Sequence, residues 1–262
     1  AAGELMLLLD RFRPGAEPGD FAPDDDFLDA SAWLEEGVPH LRDAHTLLGS
    51  ATGPGVLAGR IQWAKVLAGY VDKVVYVPGW QTRGAPVMSA QLAAFLWHWT
   101  AAKPSLLRPS PSLKICTDGR PAGKGVTAVP GPLVQGLVAF DGVLYVIASG
   151  RANHAGMGHQ ALLERMRKGL PPAGTAAQLG LADTGGSGGA LAGFEIEHSG
   201  DGSPLTPAQL KTIGQIARAG VANLGFNQAQ AIEWDHQAWT RRKIDLDAAK
   251  QTAMLAAFKA AA

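Results

Sequence analysis

The sequence predicts a mixed α/β fold, with a central sheet of about five strands flanked by helices and a small helical region before it. Short apolar runs bounded by turn residues recur between residues 93 and 235, as β-strands do. Amphipathic stretches with helix-capping residues lie between them. Hydrophobic residues make up 47% of the 262 residues and charged residues only 18%, which is the composition of a globular protein.

A separate helical region is predicted at the start of the chain. The stretches DDDFLDASAWLEEGVPHL and PGVLAGRIQWAKVLAGYV place apolar residues at helical spacing. Pro78, Gly79 and Gly84 then break this pattern. We therefore divide the chain into a helical N-terminal region of unassigned role, residues 1–75, and a second domain, residues 76–262, that holds every motif with chemical content.

Five apolar runs in the second domain are predicted strands. Their sequences are AAFLWHW (93–99), LVQGLVAF (133–140), VLYVIAS (143–149), LAGFEIE (191–197) and AQAIEWD (229–235). The dipeptide Asp141-Gly142 joins the second run to the third and is typical of a tight β-hairpin. The strands should therefore form one sheet that contains a hairpin.

Helices are predicted between and after these strands. Residues 206–209 (TPAQ) match a capping box with proline at the first helical position. Apolar residues at helical spacing follow this box, and Gly225 comes directly after the last of them. Two more helices are predicted over residues 159–168 and from Leu246 to the C-terminus. The glycine-rich stretch 180–193 is predicted to be a flexible loop that borders a site.

Charge and cysteine content argue against several classes of protein. The 23 basic residues balance the 23 acidic ones, so no attraction to nucleic acid or to an anionic membrane is predicted. No apolar run approaches the roughly 18 residues of a membrane span, and AAGELMLLLDRF is a poor signal peptide. The single cysteine, Cys116, excludes an internal disulfide. We expect a monomer.

Five side chains could form a catalytic metal site. His98 lies near the end of one predicted strand, Glu195 on another, and His236 after a third. An extended Lys-Ile-Asp segment in HQAWTRRKIDLD would turn Lys243 and Asp245 to one side. Two histidines and a carboxylate are the ligand set of a catalytic zinc, a further carboxylate could be the general base, and a lysine could stabilise an oxyanion. The alternative is unrelated packing residues and a solvated charged turn.

Four segments occur in the order found in a known enzyme family: LWHWTAA, GPLVQGLVAFDGVLYVIASGRANHAG, GFEIEHSGDGSPLTPAQ and HQAWTRRKID. Through them, residues 76–258 resemble the zinc N-acetylmuramoyl-L-alanine amidases, which share a fold with the peptidoglycan recognition proteins. Within that family, the sequence resembles the amidase domains of endolysins from phages of mycobacteria and their relatives. Each motif is weak alone, and the order of all four makes the resemblance specific.

The resemblance assigns a role to each of the five side chains. It implies that His98, His236 and Asp245 bind Zn²⁺ as the cofactor. It further implies that Glu195 is the general acid and base, and that Lys243 is the catalytic lysine. The proposed catalytic pair and the proposed metal ligands thus come from three separate segments of the chain.

Two further residues are predicted to contact the substrate. His154, in ANHAG, matches a family motif near the cleft, although its ring could instead fix a loop through a hydrogen bond. Arg242 could meet the carboxylates of a muropeptide, although it could also lie on a solvated face. These alternatives stay open at the level of the sequence.

The sequence departs from the family pattern at two positions. The usual context of the first zinc ligand is His-His-Thr-Ala, and Trp99 replaces the second histidine, which is not a metal ligand. Val134 stands where many members carry a catalytic-site tyrosine. That change implies the mechanism that uses glutamate, or else weakened catalysis.

The resemblance implies that the function is zinc-dependent hydrolysis of the amide bond between N-acetylmuramic acid and L-alanine in peptidoglycan. The resemblance also implies a phage protein made in the host cytoplasm that lyses the host cell wall. Two alternatives belong to other classes. One is a peptidoglycan-binding module of a virion or tail protein with little activity, and the other is a zinc peptidase that acts on the stem peptide.

Overall fold

The computed structural model covers most of the second predicted domain. It describes residues 64–67, 69–84, 88–89, 91–123, 127–187, 189–243 and 245–261. Most of the predicted N-terminal helical region, residues 1–63, lies outside the described residues. Ile244, between the predicted lysine and aspartate of the site, lies outside them as well.

The described residues form short strands, α-helices and one π-helix. The strands are β1 (Val74–Tyr76), β2 (Ala94–Trp99), β3 (Gly119–Arg120), β4 (Val129–Pro130), β5 (Gly136–Val138), β6 (Leu144–Val146), β7 (Met157–Gly158), β8 (Gly185–Gly186) and β9 (Leu191–Ile196). The α-helices are α1 (Leu113–Asp118), α2 (Gln160–Arg167), α3 (Pro207–Leu224), α4 (His236–Trp239) and α5 (Ala248–Ala260). The π-helix is Ala229–Glu233, and residues 64–67 are helical.

A five-stranded mixed sheet lies at the centre, in the order β1-β6-β5-β9-β2. β5 and β6 are antiparallel, and the other neighbouring strands are parallel. The predicted α/β fold class is therefore confirmed. The predicted hairpin is confirmed too, since Gly142, at φ +81°, turns the chain between β5 and β6 and donates its N–H to the carbonyl of Ala139 at 2.9 Å.

One predicted strand is wrong. Residues 229–235 form the π-helix and its exit, and they meet the sheet through an isolated parallel bridge between Trp97 and Asp235. So short an apolar run fits a helical period as well as an extended one. The Asn227 side chain accepts from the N–H of Gln230 at 3.1 Å and so favours a helical start. The fifth strand is instead β1, in the segment predicted to separate two domains.

Different helices cover the two faces of the sheet, because side chains alternate along each strand. Phe95 of β2 and Phe194 of β9 lie in a core cluster with residues of α3 and α5. Leu96 of β2 lies in a second cluster with residues of α2 and α4. The same alternation places His98 and Glu195 on the second face, at the carboxyl ends of β2 and β9.

The residues just before β1 pack into the first core cluster. Ala64, Leu67 and Val71 are buried there against residues of the sheet and of α3. β1 itself pairs with β6 at the edge of the sheet. The predicted division at residue 75 thus falls inside a strand, and the described residues upstream of it belong to the same core.

The predicted helix caps are present. Thr206 Oγ1 accepts from the N–H of Gln209 at 3.1 Å, and Gln209 Oε1 accepts from the N–H of Thr206 at 3.0 Å, which completes the capping box of α3. Gly225, at φ +69°, ends α3, and α2 lies inside its predicted range. Among the described helices, none has the length and apolarity that a membrane span requires.

Candidate metal centre

Strand register brings together side chains that are far apart in the sequence. In the parallel pair β2 and β9, His98 is the partner of Glu195. Partners in adjacent parallel strands project from the same face of the sheet. The bridge between Trp97 and Asp235 then places His236, the first residue of α4, next to His98. The two predicted histidine ligands and the predicted general base therefore share one end of the sheet.

His98, His236 and Asp245 form a buried triangle of ligand atoms. His236 Nδ1 lies 2.9 Å from His98 Nδ1 and 2.7 Å from Asp245 Oδ2, and the third side, from His98 Nδ1 to Asp245 Oδ2, is 3.8 Å. None of the three residues is more than 9% exposed. Ligand atoms around a tetrahedral zinc lie roughly 3.3 Å apart, since the bonds are about 2.0–2.1 Å long. This group could hold a metal ion.

The hydrogen bonding of the triangle also favours a cation. His236 Nδ1 faces both His98 Nδ1 and Asp245 Oδ2 at hydrogen-bond distance. One ring nitrogen carries at most one hydrogen, so a single N–H cannot serve both contacts. Without a cation, at least one of the two contacts therefore brings polar atoms together without a hydrogen bond. A metal ion at the centre of the triangle accepts all three lone pairs and removes this conflict.

The electrostatics keep the ligands in metal-binding protonation states. Burial and, to a smaller extent, the proximity of His98 together lower the pKa of His236 to about 3, which leaves the imidazole neutral. Burial raises the pKa of Asp245, but interactions with His236 and His98 outweigh this effect and hold that pKa well below its ordinary range. A neutral imidazole and an ionised carboxylate are the forms that bind metal.

Glu195 has a buried carboxylate oxygen at the candidate metal centre. Its Oε2 makes no hydrogen bond among the described residues. Burial raises the pKa of Glu195 well above its ordinary value, the charges of Asp245 and Glu197 raise it further, and Lys243 lowers it. An orphaned buried oxygen is costly and is found where function requires it. The side chain can therefore accept and hold a proton beside the metal ligands.

Lys243 lies at the same centre. Its positive charge acts on both Glu195 and His236, lowering the pKa of each. The side chain is half-buried. The structure thus brings all five predicted catalytic and metal-binding residues to one place, although the extended Lys-Ile-Asp geometry depends on Ile244, which is outside the described residues.

His154, a predicted substrate contact, lies behind His98. It is 8% exposed, its Nδ1 is 3.1 Å from His98 Nε2, and its Nε2 is 3.2 Å from the carbonyl of Leu191. Burial lowers the pKa of His154 well below its ordinary value, and the neighbouring histidines lower it further. Both ring nitrogens are engaged within the protein, so the neutral ring supports His98.

Arg242, the other predicted substrate contact, pairs with an acidic residue of the glycine-rich loop. Its Nε lies 2.9 Å from Asp183 Oδ2, and Asp183 also accepts from Thr240 Oγ1 at 2.7 Å. Sequence reasoning missed Asp183. Its only signal was an acidic residue within a glycine-rich stretch predicted to border the site. The pair ties this loop to the segment that leads into Lys243 and Asp245.

Three further residues within the family-like motifs are buried. Val134, at the family's tyrosine position, is fully buried and offers no hydroxyl. The next residue, Gln135, accepts from the N–H of Gly193 at 2.7 Å through its Oε1. Glu197 Oε1 accepts from the N–H of Ser112 at 2.6 Å, and its Oε2 accepts from Thr100 Oγ1 at 2.9 Å. Glu197 therefore joins the end of β2 to the start of α1.

Comparison with protein-family models, with curated proteins and with solved structures gives no match. The function of the chain is therefore inferred from its own residues and from the resemblance of its motifs.

Proposed function

We propose that this chain is a zinc-dependent N-acetylmuramoyl-L-alanine amidase. The observation that carries the proposal is the meeting, on one face of the sheet, of a buried three-ligand group and a buried carboxylate oxygen that has no hydrogen-bond partner among the described residues. The motif resemblance over residues 76–258 supplies the substrate, the amide between N-acetylmuramic acid and the first L-alanine of a stem peptide. It also makes lysis of a host cell wall by a phage the proposed setting.

His98, His236 and Asp245 would hold the zinc. When bound by such a ligand set, zinc polarises a carbonyl and makes water more acidic. The neutral His236 and the ionised Asp245 already have the protonation states that binding requires. Zinc is preferred to magnesium or calcium because two of the three ligands are imidazoles.

Glu195 would transfer the proton of the attacking water, and Lys243 would stabilise the negative charge that develops on the substrate. Glu195 takes a proton from the attacking water at Oε2, holds it because its pKa is raised, and returns it to the departing amine. The ammonium group of Lys243 stabilises the negative oxygen of the tetrahedral intermediate. Val134 offers no hydroxyl to share this work, so the proton transfer is assigned to Glu195 alone.

Mass spectrometry of digested peptidoglycan tests the proposal. The full chain should release stem peptides with a free N-terminal L-alanine and leave the glycan strands intact. A chelator should abolish the release, and added zinc should restore it, while Asp245→Ala should be inactive under every condition. Cleavage within the stem peptide would identify a peptidase instead. Binding to cell walls without any product would identify a binding module.

A further inference from the structure

A chain of three polar groups runs from the backbone of β9 to the candidate metal centre. The carbonyl of Leu191 lies 3.2 Å from His154 Nε2, and His154 Nδ1 lies 3.1 Å from His98 Nε2. The other nitrogen of His98, Nδ1, faces His236 and Asp245. All of these groups are buried, so water does not compete for the contacts.

The first member of the chain fixes the positions of the hydrogens. A backbone carbonyl can only accept, so the hydrogen between Leu191 and His154 belongs to His154 Nε2. The neutral His154 ring then has a lone pair on Nδ1. That lone pair accepts only if His98 carries its hydrogen on Nε2. His98 Nδ1 is thereby left with a free lone pair that points at the centre of the ligand triangle.

We propose that His154 is a positioning residue, which sets the tautomer and ring orientation of His98 so that Nδ1 is preformed as a metal ligand. The inference rests on the proposed metal centre and gives His154 a role other than substrate contact. A partner on the second nitrogen of a ligating histidine commonly fixes its tautomer and raises its affinity for metal. Here that partner is another histidine, itself fixed by the carbonyl of Leu191.

The residue beside the His154 ring, Gly193, leaves the space that the ring needs. A Cβ atom at Gly193 would lie within 3.0 Å of three atoms of that ring, so only glycine leaves the space. Gln135 holds Gly193 in place through two hydrogen bonds. The side-chain Oε1 of Gln135 accepts from the N–H of Gly193 at 2.7 Å, and the backbone N–H of Gln135 donates to the carbonyl of Gly193 at 3.1 Å. The space that a side chain at position 193 would fill is thus occupied by the imidazole of His154, which lies beside His98.

Zinc affinity of the full chain, measured by competition with a chelating dye, tests the role. His154→Phe keeps an aromatic ring but removes both nitrogens, and it should weaken zinc binding roughly 10- to 100-fold. His154→Gln restores one acceptor and one donor and should recover most of the affinity. Gly193→Ala should weaken binding as well, because it displaces the ring. His159→Phe, outside the centre, is the matched control and should leave affinity unchanged.

Nitrogen NMR of histidine-labelled protein provides a readout that a purely structural role would not change. In the zinc-loaded wild type, His98 should be protonated at Nε2 and bound at Nδ1, and His154 should be protonated at Nε2. A His98 that carries no hydrogen on Nε2 would overturn the proposal. So would a folded His154→Phe variant that binds zinc as tightly as wild type, or a folded His154→Gln variant no better than His154→Phe. If His154→Phe fails to fold, the wild-type spectrum still decides.

The failure of this inference can be told from the failure of the proposed function. A chain that binds zinc through His98 with the expected tautomer but cuts no amide of peptidoglycan retains the role of His154 and loses the amidase assignment. A chain that cuts that amide, yet binds zinc equally well with phenylalanine at position 154, retains the amidase assignment and loses the role of His154.

Discussion

Two buried carboxyl groups of the candidate metal centre have pKa values shifted in opposite directions. Burial raises the pKa of Glu195, whose Oε2 has no hydrogen-bond partner among the described residues. For Asp245, contacts with His236 and His98 outweigh burial and keep the carboxylate ionised. Two chemically similar side chains are thus suited to different tasks, because their surroundings push their pKa values apart. One is suited to carry a proton and the other to bind a metal.

Alanine substitutions should separate the roles of Lys243 and Asp245. Asp245→Ala removes a metal ligand and should lose both zinc and activity. Lys243→Ala should keep the zinc but lose roughly two to three orders of magnitude in rate, the usual effect of deleting one oxyanion donor. Arg241→Ala, at a neighbouring exposed position, is the control and should change little. Metal analysis measures the bound zinc, and peptidoglycan cleavage measures the activity. If Lys243→Ala and Asp245→Ala both cleave peptidoglycan nearly as well as wild type, this segment is a solvated charged turn and not part of a catalytic site.

The raised pKa of Glu195 predicts the acid limb of the pH–rate profile. Glu195 must be ionised to accept a proton, so kcat/KM should fall as the pH drops through a pKa above the ordinary 4.5. Glu195→Gln should retain zinc, lose roughly 10²- to 10⁴-fold in rate, and lose that limb. A limb at or below 4.5 in the wild type, or a Glu195→Gln variant as active as wild type, would remove Glu195 from the mechanism.

At the scale of elements, the centre depends on contacts between segments rather than on any one segment. β2 and β9 supply His98 and Glu195 through their parallel register. The glycine-rich loop and the turn after α4 meet through the ion pair of Asp183 and Arg242, which is mostly buried. That ion pair accounts for the position of the Arg242 guanidinium group in this structure.

A double-mutant cycle tests this account of Arg242. If it acts by tying the loop to the turn, Asp183→Ala and Arg242→Ala should each lower activity, and the double variant should be no worse than the poorer single one. Either single change should also lower the free energy of unfolding by about 1–3 kcal/mol, because it leaves a polar partner unsatisfied. A higher KM in Arg242→Ala alone, with Asp183→Ala unaffected, would support the predicted muropeptide contact instead.

At the scale of the whole molecule, the two faces of the sheet carry different groups of residues. One face carries the large core formed with α3 and α5, into which Ala64, Leu67 and Val71 also pack. The other carries the candidate metal centre at the ends of β2 and β9. Among the described residues before β1, the buried hydrophobic ones therefore pack on the face opposite the candidate ligands.

Core substitutions before β1 should affect stability but not zinc binding. Leu67→Ala should lower the free energy of unfolding by about 2–5 kcal/mol, the usual cost of truncating a buried leucine. Lys65→Ala, at an exposed position of the same helical segment, should have little effect. Chemical denaturation and zinc titration measure the two properties. A Leu67→Ala variant as stable as wild type would show that this segment does not contribute to the core.

The sequence by itself determined the α/β class, four of the five sheet strands, the hairpin at Asp141-Gly142 and the capping box of α3. These features depend on interactions between near neighbours in the chain, such as side-chain alternation, turn conformation and capping hydrogen bonds. The motifs also predicted that one site contains five residues: His98, Glu195, His236, Lys243 and Asp245. Their spacing in the sequence alone could not show that these side chains lie close together.

Only the tertiary structure decided which strand completed the sheet and how the centre is assembled. Residues 229–235 fit two periods equally well, and packing against β2 selected the π-helix over a strand. The register of β2 and β9, the support of His98 by His154, and the pairing of Asp183 with Arg242 all join residues more than 50 positions apart. Such contacts leave no periodic trace in the sequence, because they arise only when separate elements pack together.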